Sequence, residues 1–243
     1  MKNPLIIALD FDDTDQALAL IRDVGPAAEF YKVGMELYAA GGMAFVSRVR
    51  ELGKRVFLDL KLYDISETVK RATRRICSTG LVDFLTVHGS RAVMEAAVEG
   101  RENSKTELLA VTVLTSFDQD DLADLGYSTP VSELVELRVR KAVESRIDGI
   151  VCSPLEVARV RQIGGADLKL VTPGVRSAGA AKGDQKRTAT PREAIENGAD
   201  YLVIGRQVTR ADDPRRACEE ILREIEGVHR SVPVGGAAAT GER

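Results

Sequence analysis

The chain has 243 residues, of which 44% are hydrophobic and 29% charged, with a formal net charge of -3. That length supports one large core or two small ones, and the composition is ordinary for a globular protein. A near-neutral balance provides no global basic field for nucleic acid or anionic membrane, and no apolar run reaches the ~20 residues that span a bilayer, so any anion site has to be local.

Taken in chain order, Asn3-Pro4 leads directly into an apolar run at 5–9 that ends in Asp10, with no signal-peptide layout. Helical spacing over 14–24 puts Ala17, Leu18 and Ile21 on one face, with Gly25-Pro26 as a stop. A strand is predicted at 30–33, a helix at 42–52 before Gly53, and a third strand at 56–61. A helix from 66 or 67 to 79 stops at Gly80, and a strand at 84–87 closes on His88-Gly89. Then come a helix at 92–98 and a strand at 108–114 that runs into Thr115-Ser116. A polar connection over 118–129 leads to a helix at 131–145, a strand at 149–152, a helix at 155–163 and a strand at 168–172. Residues 178–188, rich in Gly, Ala and Lys, read as a long mobile loop. A short helix at 191–197, a strand at 201–204 closing on Gly205-Arg206, and a helix at 214–226 complete the pattern. From 227 to 243 the chain lacks periodicity, so a disordered tail is expected, with His229 incidental in it.

Strands alternating with helices over short connections call for parallel strands and crossover helices. Eight such units predict a single-domain α/β fold, a closed (β/α)8 TIM barrel over residues 1–226, with an open doubly wound sheet as the alternative. Cys77, Cys152 and Cys218 are odd in number and far apart, which reads as three reduced thiols in a cytosolic protein. With His88 and His229 as the only histidines, little is left for a His-based metal site.

In a barrel of this kind chemistry sits at the C-terminal ends of the strands. There the chain places Asp10, Lys32, then Asp59 and Lys61 with Asp64 in the loop beyond, then His88, Thr115-Ser116, Pro173-Gly174-Val175-Arg176 and Gly205-Arg206. Asp59 and Lys61 are two residues apart in an apolar strand, so both point the same way. Charges entering from such a strand are costly to bury unless they satisfy one another, which leaves a reactive cluster or a structural ion pair. For His88 and in part for Asp10, a polar strand end meeting solvent suffices. Loops after the seventh and eighth strands often hold phosphate. Gly205 lets backbone N–H groups approach an anion, Arg206 can grip it bidentately, and Arg176 and Gln185 lie on the adjoining loop; pairing of Arg206 with Asp212 is the alternative.

Seven segments, in this order and spacing, resemble orotidine 5′-phosphate decarboxylases of the bacterial type. They are Ile7-Ala8-Leu9-Asp10, Lys32-Val33-Gly34-Met35-Glu36, Asp59-Leu60-Lys61-Leu62-Tyr63-Asp64-Ile65, Val113-Leu114-Thr115-Ser116, Thr172-Pro173-Gly174-Val175-Arg176, Asp184-Gln185 and Ile204-Gly205-Arg206. The resemblance implies a homodimer that decarboxylates a small nucleotide with no cofactor. It implies Lys61 as proton donor to C6 of the pyrimidine, within a charge network of Lys32, Asp59, Lys61 and Asp64. Asp64, Ile65 and Thr68 would reach the partner's site, and Asp10 with Lys32 would hold ribose hydroxyls. Thr115, Ser116 and Pro173 would lie near the pyrimidine, and Arg176, Gln185, Gly205 and Arg206 would bind phosphate. Tyr63 departs from the family's usual His, and Ser66-Glu67 from its usual Pro-Asn or Pro-Thr. Magnesium-dependent sugar-phosphate decarboxylases and synthases share the Asp-x-Lys-x-x-Asp pattern, but carry a metal-binding Glu where Lys32 stands here. A non-catalytic barrel that binds a nucleotide would keep the phosphate grip and lose the charge network.

Overall fold

Apolar β-forming runs become eight parallel strands: β1 (Leu5–Leu9), β2 (Phe30–Gly34), β3 (Arg55–Leu62), β4 (Phe84–His88), β5 (Glu107–Val111), β6 (Gly149–Val151), β7 (Lys169–Thr172) and β8 (Tyr201–Ile204). They pair in sequence order, and β8 returns to β1 through Leu5–Leu202 and Ile7–Ile204, so the sheet is a closed barrel rather than an open one. The structure is a computed structural model and describes residues 3–178 and 188–228. Most of the expected mobile loop and of the expected tail lies outside the described residues. No helix among the described residues is long and apolar enough to cross a membrane.

The helices are α1 (Thr14–Val24), α2 (Met35–Glu51), α3 (Ser66–Cys77), α4 (Arg91–Arg101), α5 (Gln119–Asp124), α6 (Val131–Glu144), α7 (Val157–Gly164), α8 (Pro191–Glu196), α9 (Arg206–Thr209) and α10 (Pro214–Glu224). Three boundaries depart from the sequence reading. α2 begins at Met35, because Gly42, at φ 54°, kinks the helix rather than starting it. β5 stops at Val111 although apolar residues continue to Leu114, because its neighbour β6 ends at Val151, opposite Val111, and offers no ladder beyond. The polar connection contains α5, nucleated by a reciprocal cap: the Asp118 side chain accepts from the N–H of Asp120 and Asp121, and Asp121 accepts from the N–H of Asp118.

Strand alternation divides the core in two. In β1, Leu5, Ile7 and Leu9 pack outward under the helices, while Ile6 and Ala8 face the barrel axis. The N-terminal half of the interior is aromatic: Phe30 lies 4.9 Å from Phe84, and Phe84 lies 5.2 Å from Tyr201, ring centre to ring centre. The Arg55 guanidinium caps this layer, 4.0 Å from the Phe30 ring. Toward the C-terminal half the interior narrows to small side chains, with Ala8, Val111, Val151 and Val203 beneath open space. The barrel is therefore plugged at one end and hollow at the other, and the next inward positions after Ala8, Phe30, Phe57 and Val203 are Asp10, Lys32, Asp59 and Gly205.

The plugged end carries a repeated clamp. Asp83, Asp148 and Asp200 each stand one residue before β4, β6 and β8, and accept the N–H of Val56, Leu108 and Leu170 in the preceding strand at 2.9, 2.8 and 2.7 Å. Each also pairs with an arginine from a helix: Arg50, Arg101 and Arg161. Arg161 is 5% exposed and donates as well to the carbonyls of Gly165, Leu168 and Gly198. Replacing it by Met takes the cation from the half-buried Asp200 carboxylate and a donor from several carbonyls. Arg161→Met is expected to lower the unfolding free energy by about 3 kcal/mol or more, read from urea midpoints at constant slope.

Candidate active site

The hollow end is built on β3. Asp59 is the inward residue after Phe57, and the regular β3–β4 register breaks between Leu58 and Leu62. Inside that break Lys61 adopts φ 49°, left-handed backbone that a non-glycine residue rarely takes. Such irregularities re-aim side chains near functional sites. Here the Lys61 Nζ donates to Asp59 Oδ1 at 2.9 Å. Lys32 Nζ, from β2, lies 3.7 Å from Asp59 Oδ2 and donates to Asp10 Oδ1 at 3.1 Å. A Cβ at Gly34 would lie 3.3 Å from Lys32 Nζ, so the glycine leaves room for that ammonium.

The result is an alternating row, Asp10–Lys32–Asp59–Lys61. Its centre is dry and its ends are wetter: side-chain exposure is 61% for Asp10, 13% for Lys32, 14% for Asp59 and 32% for Lys61. Burial alone would push the Asp59 carboxyl up. The ammonium groups of Lys32 and Lys61, with hydrogen bonds from Lys61 and Thr86, outweigh it and hold the carboxyl below its ordinary range. Thr86, in β4, donates to Asp59 Oδ1 at 2.9 Å and accepts the Lys61 N–H at 2.9 Å. Reasoning from the sequence missed Thr86. Its one signal was a hydroxyl at an inward position of an otherwise apolar strand.

Asp64 does not join this row within its own chain. It is exposed, beyond the end of β3, and accepts the N–H of Ile65 at 2.7 Å. Ile65 and Thr68 are exposed beside it, outside the cavity. The carboxylate that extends the row within the chain is Asp10.

A cavity of about 990 Å³ joins this row to the second cluster. Ala8, Val111, Val151 and Val203 floor it, the charged row forms one wall, and Pro173, Arg176, Gly205 and Arg206 form another, with Thr115 at the rim. Ser116 is exposed and outside the lining, and Gln185 lies outside the described residues. Arg176 donates to Thr188 Oγ1 at 3.3 Å, and its N–H donates to the Ala189 carbonyl, so it ties together both ends of the intervening segment. Gln207 fixes the near end, accepting the Ser177 N–H and donating to the Ser177 hydroxyl. Among the described residues no group of three or more His, Cys, Asp and Glu is disposed to hold a metal ion.

His88 stands outside the lining of this cavity, and its half-buried ring does not meet solvent as a plain polar strand end would. Its ring lies 4.1 Å from that of Tyr63, and its Nδ1 is buried without a hydrogen-bond partner. Burial and the nearby Arg138 push its pKa down to about 4 from 6.5. The unfolded chain therefore binds a proton below pH 6.5 that the folded chain does not take up until about pH 4. Folded stability is expected to fall as pH drops through that window, by at most about 3 kcal/mol from this group. Urea midpoints of His88→Gln should decline less than those of the wild type over the same range; parallel declines would assign the effect elsewhere.

Comparison with known proteins covers nearly the whole of this frame. The model of the orotidine 5′-phosphate decarboxylase / HUMPS family matches residues 3–221. A protein of Rhodopseudomonas palustris (strain BisA53) named orotidine 5′-phosphate decarboxylase is 52% identical over 226 residues, 93% of this chain and 96% of that one. One of the same name from Bradyrhizobium sp. (strain ORS 278) is 51% identical over 221 residues, 91% of this chain and 90% of the relative. The crystal structure of orotidine 5′-phosphate decarboxylase from Lactobacillus acidophilus superposes with a TM-score of 0.81 at 35% identity, covering 93% of this chain and all of that one.

Proposed function

The chain belongs to the orotidine 5′-phosphate decarboxylase / HUMPS family and is a carboxy-lyase, and we propose that it converts orotidine 5′-phosphate to uridine 5′-phosphate and CO2 through Lys61 and its charged neighbours. The observation that carries this reading is the Lys61–Asp59 pair at 2.9 Å, flanked by Lys32, in one cavity with Arg176 and Arg206.

The reaction breaks the bond between C6 and the carboxylate carbon and leaves an electron pair on C6 with no π-system to delocalise it. Stabilisation then falls to preorganised charge. The Lys61 ammonium, held by Asp59, stands beside C6, offsets the developing charge and delivers a proton to C6; Lys61 regains that proton from solvent. Asp59 faces the departing carboxylate and disfavours the bound ground state. Asp10 and Lys32 hold ribose hydroxyls, while Thr115 and Pro173 lie along the pyrimidine. Arg176, Gly205, Arg206 and Gln185 bind phosphate. A Cβ at Gly205 would meet protein atoms only at 3.8 Å, which leaves open space on the cavity side. Phosphate held far from C6 supplies binding energy that is used at the reacting carbon.

A second copy of the chain completes the site in this reading, with Asp64, Ile65 and Thr68 reaching across. Exposure of Tyr63 and Ile65, at 68% and 73%, beside the cavity supports it. Reaction without metal is supported by Lys32, whose ammonium 3.7 Å from Asp59 opposes a divalent cation there. With Cys77, Cys152 and Cys218 free and buried, the enzyme suits a reducing cytosol and a place in pyrimidine biosynthesis.

Loss of orotidine 5′-phosphate absorbance in EDTA tests the reading. Wild type is expected to turn over, and Lys61→Ala to lose on the order of 10³-fold or more in kcat. Arg206→Ala should lose on the order of 10²-fold in kcat/KM, mostly through KM, as one charged phosphate contact is removed. Activity that EDTA abolishes and Mg2+ restores would point to the sugar-phosphate enzymes instead. Tight binding of uridine 5′-phosphate with no turnover would point to a binding barrel.

A further inference from the structure

Granting Lys61 and Asp59 the roles above, we propose that Thr86 is the positioning residue that holds both in reactive geometry. Its side chain is fully buried, at an inward position of β4. The hydroxyl has one proton to give and lone pairs to accept with, and its two partners leave one arrangement. The Lys61 N–H can only donate, so Thr86 Oγ1 accepts it at 2.9 Å. An ionised Asp59 can only accept, so the Thr86 proton goes to Asp59 Oδ1, also at 2.9 Å. That same oxygen receives the Lys61 Nζ at 2.9 Å. The contacts close a ring: Lys61 main chain, Thr86 hydroxyl, Asp59 carboxylate, Lys61 ammonium.

The ring answers a local difficulty. The register break between Leu58 and Leu62 takes Lys61 out of the regular β3–β4 ladder, and its φ of 49° is one an L-residue adopts only when its surroundings impose it. Thr86 gives the Lys61 N–H a partner that the regular ladder does not supply. Without the hydroxyl, that N–H is left unsatisfied and Lys61 can relax toward ordinary strand backbone, carrying its ammonium away from where C6 would sit. Asp59 would also lose one of the donors that keep it ionised, leaving Lys32 from β2 and Lys61 from β3 to do so. Small displacements of a reacting group are enough to cost ~10²-fold in rate.

The test is a kinetic comparison of wild type, Thr86→Val, Thr86→Ala, Thr86→Ser and Lys61→Ala with orotidine 5′-phosphate, with uridine 5′-phosphate affinity measured on each. Thr86→Val keeps the shape and removes the hydroxyl; Thr86→Ala serves if the Val variant fails to fold. The expected result is a fall in kcat on the order of 10²-fold, with KM and uridine 5′-phosphate affinity within about threefold of wild type. The acid limb of the kcat/KM profile should move to higher pH, and Thr86→Ser should restore most of both. A folded Val or Ala variant with wild-type kcat and acid limb overturns the inference. So does a loss shared equally by kcat and uridine 5′-phosphate affinity, which marks a merely structural role. If Lys61→Ala itself retains turnover, the assignment of Lys61 fails first and the role of Thr86 falls with it. If Lys61→Ala collapses while Thr86→Val does not, only the role of Thr86 fails.

Discussion

A carboxylate that stays ionised at the mouth of an apolar barrel is the constraint from which the rest of the site follows. Asp59 is largely removed from water, which by itself favours its neutral form. Two ammonium groups and one hydroxyl reverse that preference. Each group that holds Asp59 comes from a different strand: Lys32 from β2, Lys61 from β3, Thr86 from β4. The charge state of one side chain thus depends on the lateral order of three neighbouring strands. In return, Asp59 fixes both lysines, which would otherwise repel one another across the same cavity.

The hollow that holds this row exists because the barrel is filled unevenly. Phe30, Phe57, Phe84 and Tyr201 occupy the N-terminal half, under the Arg55 guanidinium. Small side chains above them leave a floor at the depth where Lys32 and Asp59 emerge. The clamps of Asp83, Asp148 and Asp200 lie at the opposite end and tie helices to strand starts. Stability and chemistry are thereby separated along the barrel axis. Ion pairs at the plugged end are satisfied by backbone and by each other. At the open end, the row ends in groups that still face the cavity.

Much of this was legible in the sequence. Short apolar runs and helical spacings marked every strand and the crossover helices, because both are local properties of the chain. Charged residues at strand ends marked Asp10, Lys32, Asp59 and Lys61, because an ion in an apolar strand is conspicuous wherever the strand packs. Val113 and Leu114 misled for the same reason: they carry the pattern of a strand, but whether a strand continues depends on its neighbour's length. Asp64 joins the row, as the resemblance implies, only by reaching a partner's site; within the chain it faces solvent and Asp10 extends the row.

The sequence by itself determined the eight strand-and-helix units, the polar strand ends and the chemical character of the two clusters, since these depend on the placement of residue types along one segment at a time, whereas closure of the sheet rests on the pairing of β8 with β1. Tertiary structure alone decided that the two clusters share one cavity, that Lys61 turns to the left-handed backbone within a break in the ladder, and that Thr86 stands between its main chain and Asp59. Those facts depend on which atoms of different strands come within 3 Å of each other. Strand pairing and register set such distances, and no single segment encodes them.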